Sequence, residues 1–569
     1  MNAKAHCTLK KGVLGEAYEK LLKNFYNIDP KVHAEVYRGY HELIWDEPEF
    51  AGKYLDLCAT YYEQERDIRA LENAAVVVDG IARYQWESGY LGALEPGHET
   101  EVFGVWSTAF TIYGLLSYER AVSAGKEAAE AFRKSADQAL VCAQKAGDWI
   151  VESFIGGPAA GKEDILNGGN GGSQHITAIL ALVPLYERCK NPRVKEFLLW
   201  LLHYLEGTDM DVVNFEDLMK LRSRKGIEMI TVYLGLIEWG VSQKDGRAID
   251  AARRYWKQLW ETQIRNTGCG TVSEWWTEGG NGAMILPTDT KPNENCVAVG
   301  WAELTLALMF LEPKAEYGDA LERTLFNHML GSLSPDGTDF AYYQGNVGQK
   351  VYRTERGLYQ CCRYRGYVLF SNLPRAAYCR HENQVIPVFY ASSEYQSEDL
   401  VIRQTTDWPR HSEVSFECLP AQNASFTLML RIPGWAKEGF VEVMPEGEAG
   451  FCATAEPGFY PVEICKKTIV RLTVPFSVRM NREKIGEEEY AEMHYGPVLM
   501  AADTRFGTPL SEVVIRPGDE LRFVRCDSQE NVMLCLEKDN GKTRVTDYAS
   551  AGGKNPAQDE FAVWMRTEK

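Results

Sequence analysis

Residues 66–87 read RDIRALENAAVVVDGIARYQWE, with Ile68, Leu71, Ala75, Val78 and Ala82 recurring at three- and four-residue steps. At 3.6 residues per turn such positions fall on one face, so the stretch predicts an amphipathic helix. The same rhythm extends in both directions. Upstream, Leu14, Ala17, Tyr18, Leu21, Leu22 and Phe25 share a face. Downstream it predicts helices over 106–121, 128–154, 175–188, 193–205, 226–241, 248–263, 296–311 and 317–333. Pro184 lacks an N–H and is expected to kink the helix that opens at His175, or to end its first part.

About a dozen helices with short and long joints in alternation predict antiparallel pairs that close into an (α/α) toroid. A TPR-like or HEAT-like solenoid is the competing arrangement, but the glycine-rich loops 156–172 and 268–295 fit no regular array. After Leu373 the texture changes. Segments 384–390, 400–404, 413–418, 424–432, 440–444 and 468–474 are short and rich in Val, Ile, Phe, Tyr and Thr, with turn residues between them. They predict an all-β module. The expected organisation is multidomain α + β: a helical barrel over 1–375, an all-β domain over 376–505 and a β-rich segment over 506–569.

At 569 residues the chain is too long for one ordinary core. Its net charge of −19 argues against nucleic acid as a partner, because phosphate backbones are met by Lys and Arg clusters. Nothing in that balance favours an anionic membrane either. The N-terminus shows no apolar signal core, and no apolar run reaches the length of a membrane span. The 14 scattered cysteines, read with no export signal, are expected to be reduced thiols of a cytoplasmic protein. With 29 Tyr, 22 Phe and 14 Trp, the chain also has aromatic platforms of the kind that suit sugar rings.

Chemistry gathers between Glu274 and Cys362. Cys361 and Cys362 are adjacent, and Glu294 and Cys296 flank a loop-to-helix junction. Three thiols and a carboxylate are a donor set that tetrahedral Zn²⁺ accepts. Buried structural cysteines are the alternative, since this is no paired CxxC pattern. Glu274 and Glu278 bracket Trp275 and Trp276, and Asp289 follows in the same loop. A carboxyl desolvated by such rings becomes a candidate general acid, whereas a solvated loop residue does no chemistry. His175 follows the glycine-rich run 168–172 at a predicted helix start, where a helix-end role competes with a functional one. No Gly-Lys-Ser/Thr follows those glycines, so they are no phosphate-binding loop.

Read in order, Glu278, Glu294-Asn295-Cys296, Leu321-Glu322-Arg323 with Asn327, Cys361-Cys362, Leu430-Arg431-Ile432-Pro433-Gly434-Trp435-Ala436 and Tyr495-Gly496-Pro497 resemble glycoside hydrolase family 127, the β-L-arabinofuranosidase type. The resemblance runs over about residues 60–505. It implies an (α/α)₆ barrel with attached β-sandwich domains, and Zn²⁺ held by Glu294, Cys296, Cys361 and Cys362. It further implies that Cys361 is the nucleophile, Glu278 the general acid/base and His175 a substrate contact. The implied reaction is retaining hydrolysis of a small, plant-type oligosaccharide. Two other readings stay open: an inverting enzyme pairing Glu278 with Glu274 or Asp289, and a non-catalytic carbohydrate-binding scaffold. A homo-oligomer is compatible with either.

The chain also departs from the family. Histidines often found near its positions 101–107 and 224–228 are absent, which shifts attention in substrate choice to the helix starts near Ser107, His175 and Lys225. Arg363 and Arg365 add positive charge after the cysteine pair, and that charge leads to the expectation of an acidic sugar.

Overall fold

The computed structural model describes residues 5–38, 47–125, 127–278, 291–352, 361–485, 488–507, 509–514, 522–524, 533, 535–538, 543–553 and 558–566. Six inner helices form a closed ring: α2 (Glu47–Glu65), α4 (Gly104–Ala124), α6 (Ile179–Cys189), α8 (Gly226–Gln243), α10 (Asn295–Leu311) and α12 (Cys361–Ala376). Each packs on the next, and α12 returns to α2. Six outer helices alternate with them: α1 (Val13–Phe25) lies on α12, α3 (Ile68–Tyr84) on α2 and α5 (Arg133–Phe154) on α4. Likewise α7 (Pro192–Leu205) lies on α6, α9 (Gly246–Thr262) on α8 and α11 (Ala315–Arg323) on α10. This is the (α/α)₆ barrel. No helix among the described residues is long and apolar enough to cross a membrane.

The two rings differ in sequence because they differ in surroundings. Inner helices are enclosed on every side, so Gly104–Ile112, Gly226–Tyr233 and Asn295–Ala302 are buried without a break. Outer helices cover one face. Along α9 the buried positions are Ala248, Ala251, Ala252, Tyr255, Trp256 and Leu259. Trp256 stacks on Trp301 of α10 with ring centroids 5.2 Å apart and donates Nε1–H to Thr305 Oγ1 at 2.8 Å. Short joints stop and restart the chain. Lys190 closes α6 in the left-handed region, Asn191 Oδ1 accepts from Arg193 N at 3.0 Å, and Pro192 opens α7.

Two local expectations are corrected. The face that α3 buries is Ala70, Leu71, Ala74, Val77, Val78 and Ile81, turned slightly from the predicted stripe. The run Val76-Val77-Val78 is apolar on every side, so periodicity alone does not orient it. The helix at His175 is interrupted at Thr177–Ala178, ahead of Pro184, which α6 carries inside it.

Beyond the barrel the described residues form three sheets. A seven-stranded sheet runs in the order His6–Leu9, Ser393–Gln396, Leu400–Thr406, Glu413–Pro420, Thr468–Thr473, Gly439–Pro445, Phe451–Ala455. A four-stranded sheet runs Gly458–Ile464, Phe426–Ile432, Gln384–Pro387, Tyr378–His381. Alternation sets the faces: Val414, Phe416 and Cys418 are buried, as are Leu428 and Leu430 on the other sheet. The third sheet is built on Val478–Ile485, Glu488–Tyr495, Val498–Asp503 and Thr543–Asp547. Strand pairing thus changes partners just before Val478, whereas the expected division lay at 505; the continuous β texture hides where one sheet stops and the next begins.

Three family-like motifs meet where barrel and sheets join. Arg431, wholly buried, donates Nη2–H to Glu322 Oε2 at 2.7 Å and also pairs with Asp319. Trp435 Nε1–H donates to Glu322 Oε1 at 2.8 Å. Asn327 Nδ2–H donates to Pro497 O at 3.3 Å, and its Oδ1 accepts from Leu499 N at 2.8 Å.

Candidate active site

Glu294, Cys296, Cys361 and Cys362 come together although up to 68 residues separate them. One donor atom from each lies within 4.8 Å of every other. Two adjacent inner helices bring this about. α10 begins at Asn295 and α12 at Cys361, and both present their N-terminal turns to the cluster. A helix N-terminus carries partial positive charge and exposed N–H groups, which favour thiolate and carboxylate. Cys296 N–H donates to Cys362 Sγ at 3.3 Å. Cys361 Sγ lies 3.5 Å from Tyr342 Oη and 3.9 Å from Cys362 Sγ, and Cys362 Sγ lies 3.9 Å from Glu294 Oε1.

The four donors do not share one electrostatic environment. Burial pushes the Glu294 carboxyl and the Cys296 and Cys362 thiols well above their ordinary ranges. Cys361 goes the other way, because the neighbouring Cys296 and Cys362 thiols hydrogen-bond to it, helped by the Lys53 ammonium and Tyr342. Glu294 Oε2 is buried with no hydrogen-bond partner among the described residues. A buried orphaned carboxylate oxygen within reach of three thiols is what a tetrahedral Cys₃Glu metal site presents before its cation is added. The residues therefore fit a metal ion.

Three buried or half-buried ion pairs surround the cluster: Lys53 with Glu49, Lys225 with Glu274 and Arg365 with Glu303. Trp106 Nε1–H also donates to Glu49 Oε2 at 2.5 Å. Arg365 is committed to Glu303 and only 7% exposed, which removes it as a reason to expect an acidic sugar. Arg363 lies over the Tyr367 ring, 6.0 Å from its centroid.

The remaining predicted residues are placed as follows. Glu278 is exposed on the lip of a groove of about 610 Å³ lined by Asp217, Met219, Gln258, Gln263 and Arg265. The segment that follows it, 279–290, includes Asp289 and lies outside the described residues. Glu274 accepts from Lys225 Nζ and Tyr343 Oη. His175 is buried, with Nε2 2.7 Å from Thr100 O and Nδ1 3.1 Å from Ile165 O. Both ring nitrogens thus face the protein's own backbone, and neither is left for the sugar contact expected of it. Its imidazole pKa is lowered by burial.

The sequence reading missed Tyr342, Tyr343, Lys53 and Glu49 as neighbours of the cluster. No local motif marks them: Glu49 and Lys53 come together from α2, and Tyr342 and Tyr343 from the segment that precedes α12. Lys225 was legible as a helix start, but its pairing with Glu274 was not.

Comparison with known proteins agrees with this arrangement. The model for the GH127 catalytic domain of β-L-arabinofuranosidase matches residues 3–375, and that for the GH127 middle domain matches residues 384–476. A non-reducing end β-L-arabinofuranosidase of Bifidobacterium longum subsp. longum is 26% identical over 458 residues, which is 70% of this chain and 66% of that protein. The chain thus spans slightly less than two thirds of that relative's length. A GH127 β-L-arabinofuranosidase from Geobacillus stearothermophilus T6 shares the fold with a TM-score of 0.73 at 18% identity, covering 97% of this chain and 94% of that one. Another GH127 β-arabinofuranosidase does so with a TM-score of 0.79 at 16% identity, covering 99% and 96%. With the catalytic-domain model matched over more than half of the chain, the chain belongs to glycoside hydrolase family 127.

Proposed function

We propose that the protein is a retaining β-L-arabinofuranosidase with Cys361 as nucleophile and Glu278 as general acid/base, acting on short plant-type oligosaccharides. Its metal is Zn²⁺, held by Glu294, Cys296, Cys361 and Cys362. The observation that carries the reading is the convergence of those four donors within 4.8 Å at two helix N-termini. When bound, Zn²⁺ keeps the thiols ionised at neutral pH.

The residues divide the work. Cys361 sulfur attacks the anomeric carbon as the bond to the leaving oxygen breaks, and the Glu278 carboxyl gives that oxygen a proton. The product of this step is a thioglycoside on Cys361. Glu278, now a carboxylate, takes a proton from water, whose oxygen attacks the same carbon and releases the sulfur. Two displacements at one carbon give net retention. Cys296 and Cys362, helped by Lys53 and Tyr342, favour the thiolate form of Cys361, which eases its departure in the second step.

Hydrolysis of 4-nitrophenyl β-L-arabinofuranoside, with metal content measured on the same sample, tests the reading. About one zinc per chain is expected, with turnover abolished in Cys361→Ser. Full turnover in that variant would rule out the thiolate mechanism.

A further inference from the structure

Beside the cluster, one short segment has a costly backbone. Ser273 and Glu274 both adopt positive φ, 47° and 74°, though neither is glycine. Such residues persist where their surroundings over-determine them, and they gather at functional sites. Here the backbone is held on both sides. Gly226 N–H donates to Glu274 O at 2.8 Å, Trp276 N–H to Arg224 O at 2.9 Å and Ser273 N–H to Lys291 O at 2.7 Å. The result is that the Glu274 carboxylate is fixed between Lys225 Nζ and Tyr343 Oη.

That unit adjoins the reacting sulfur. Tyr343 follows Tyr342, whose hydroxyl is 3.5 Å from Cys361 Sγ, and Tyr343 forms a backbone bridge with Glu294. The Lys225 and Glu274 side chains are 15% and 18% exposed, so the pair is largely dry yet reachable. It also has unused capacity. An ammonium has three donors and a carboxylate about four acceptor positions; within the unit Lys225 uses one donor and Glu274 accepts two bonds. A rigid donor next to a rigid acceptor matches a hydroxyl, which both accepts and donates. It does not match an anion, because the Lys225 charge is already answered and a second carboxylate would stand against Glu274.

We infer that Glu274, with Lys225 and Tyr343, is a specificity-determining unit that binds a hydroxyl of a neutral sugar seated against Cys361. This assignment rests on the arabinofuranosidase reading above. Its test is the kcat/KM of wild type and of Glu274→Gln on 4-nitrophenyl β-L-arabinofuranoside and on its 2-, 3- and 5-deoxy analogues. Removing one particular hydroxyl is expected to cost the wild type at least about tenfold, since a buried polar pair is then left unmatched. The variant is expected to lose a similar factor on the parent sugar, mainly through KM, and less than about twofold more on that one analogue. Tyr343→Phe, which keeps the ring, is expected to show the same loss of discrimination at smaller size. Variants that keep every wild-type deoxygenation penalty while the wild type turns over the parent would overturn this assignment and leave the arabinofuranosidase reading standing. A wild type that turns over no member of the series would overturn both.

Discussion

Asn295 Nδ2–H donates to the Cys362 carbonyl at 3.1 Å, while Asn295 Oδ1 accepts from Ser332 Oγ at 2.8 Å. A single buried amide therefore fixes the first turn of α10 against the first turn of α12, and with them the spacing of Cys296 and Cys362. Replacing it by Ala leaves the Cys362 carbonyl and the Ser332 hydroxyl without this partner. Asn295→Ala is expected to lose about 2–4 kcal/mol of stability and to bind metal more weakly. Thermal unfolding with metal analysis checks both; unchanged metal content at normal loading would refute the spacing role.

Metal and stability should be linked. An ion that binds only the folded chain raises the melting temperature, by a free energy that grows with the logarithm of its concentration over Kd. Chelation is expected to lower Tm of the wild type. In Cys296→Ser the melting temperature should already be low and should respond little to chelator. Equal shifts in the two proteins would argue that Cys296 is no ligand.

Glu278 carries the proton in the proposed mechanism, so its worth depends on the leaving group. Glu278→Gln is expected to cut turnover of natural-type linkages by a factor on the order of 10²–10⁴. Aryl glycosides with acidic phenols need little protonation and should suffer much less in the first step. A uniform loss across leaving groups would point to a binding role instead.

Glu228 lies one turn into α8, buried, accepting from Asn170 Nδ2 at 2.6 Å and Ser173 Oγ at 2.5 Å. Burial pushes its carboxyl up from 4.5 to about 7, against the pull of Ser173, Lys225 and Asn170. The fold therefore prefers the protonated form. The stability this preference contributes is complete below the unfolded pKa and is lost as pH rises to about 7. The full span is worth about 3 kcal/mol. Glu228→Gln should not share that loss, so the stability difference between wild type and variant should shift in favour of the variant from pH 4 to pH 8. Denaturant titrations at several pH values measure it, and a pH-independent difference would contradict the assignment.

Arg431 is wholly buried between Asp319 and Glu322. Arg431→Met strands two carboxylates at the junction and is expected to cost about 3–5 kcal/mol. Adding Glu322→Gln should restore part of it. Unfolding of the single and double variants provides the comparison.

Much of this molecule was legible in its sequence, and the limits have physical causes. The helical ring was readable because each helix carries its own periodicity. The four donors could be singled out as three thiols and a carboxylate near helix starts, but their spacing alone left buried structural cysteines open, and the metal set came from the family resemblance. What escaped was geometry made by distant elements. Lys225 and Glu274 look like unrelated loop charges until the bridge between residues 224–226 and 274–276 is drawn. His175 has the right residue type and the right helix start, but the carbonyls of Thr100 and Ile165, which no local pattern announces, occupy its ring. Where one sheet gives way to the next is not legible in the sequence, because strand partners are a long-range property, whereas β texture is local.

The strand His6–Leu9 pairs in antiparallel register with Ser393–Gln396, at the edge of a sheet otherwise made from residues beyond the barrel. During synthesis this strand must therefore wait, without that partner, until the whole barrel and Ser393–Gln396 have left the ribosome. Only then can the sheet accept it, as a late closure across the full length of the helical region. Removing residues 5–9 should leave early helix formation intact, yet expose the backbone edge of Ser393–Gln396 to neighbouring molecules, so that the defect would appear as aggregation of newly made protein.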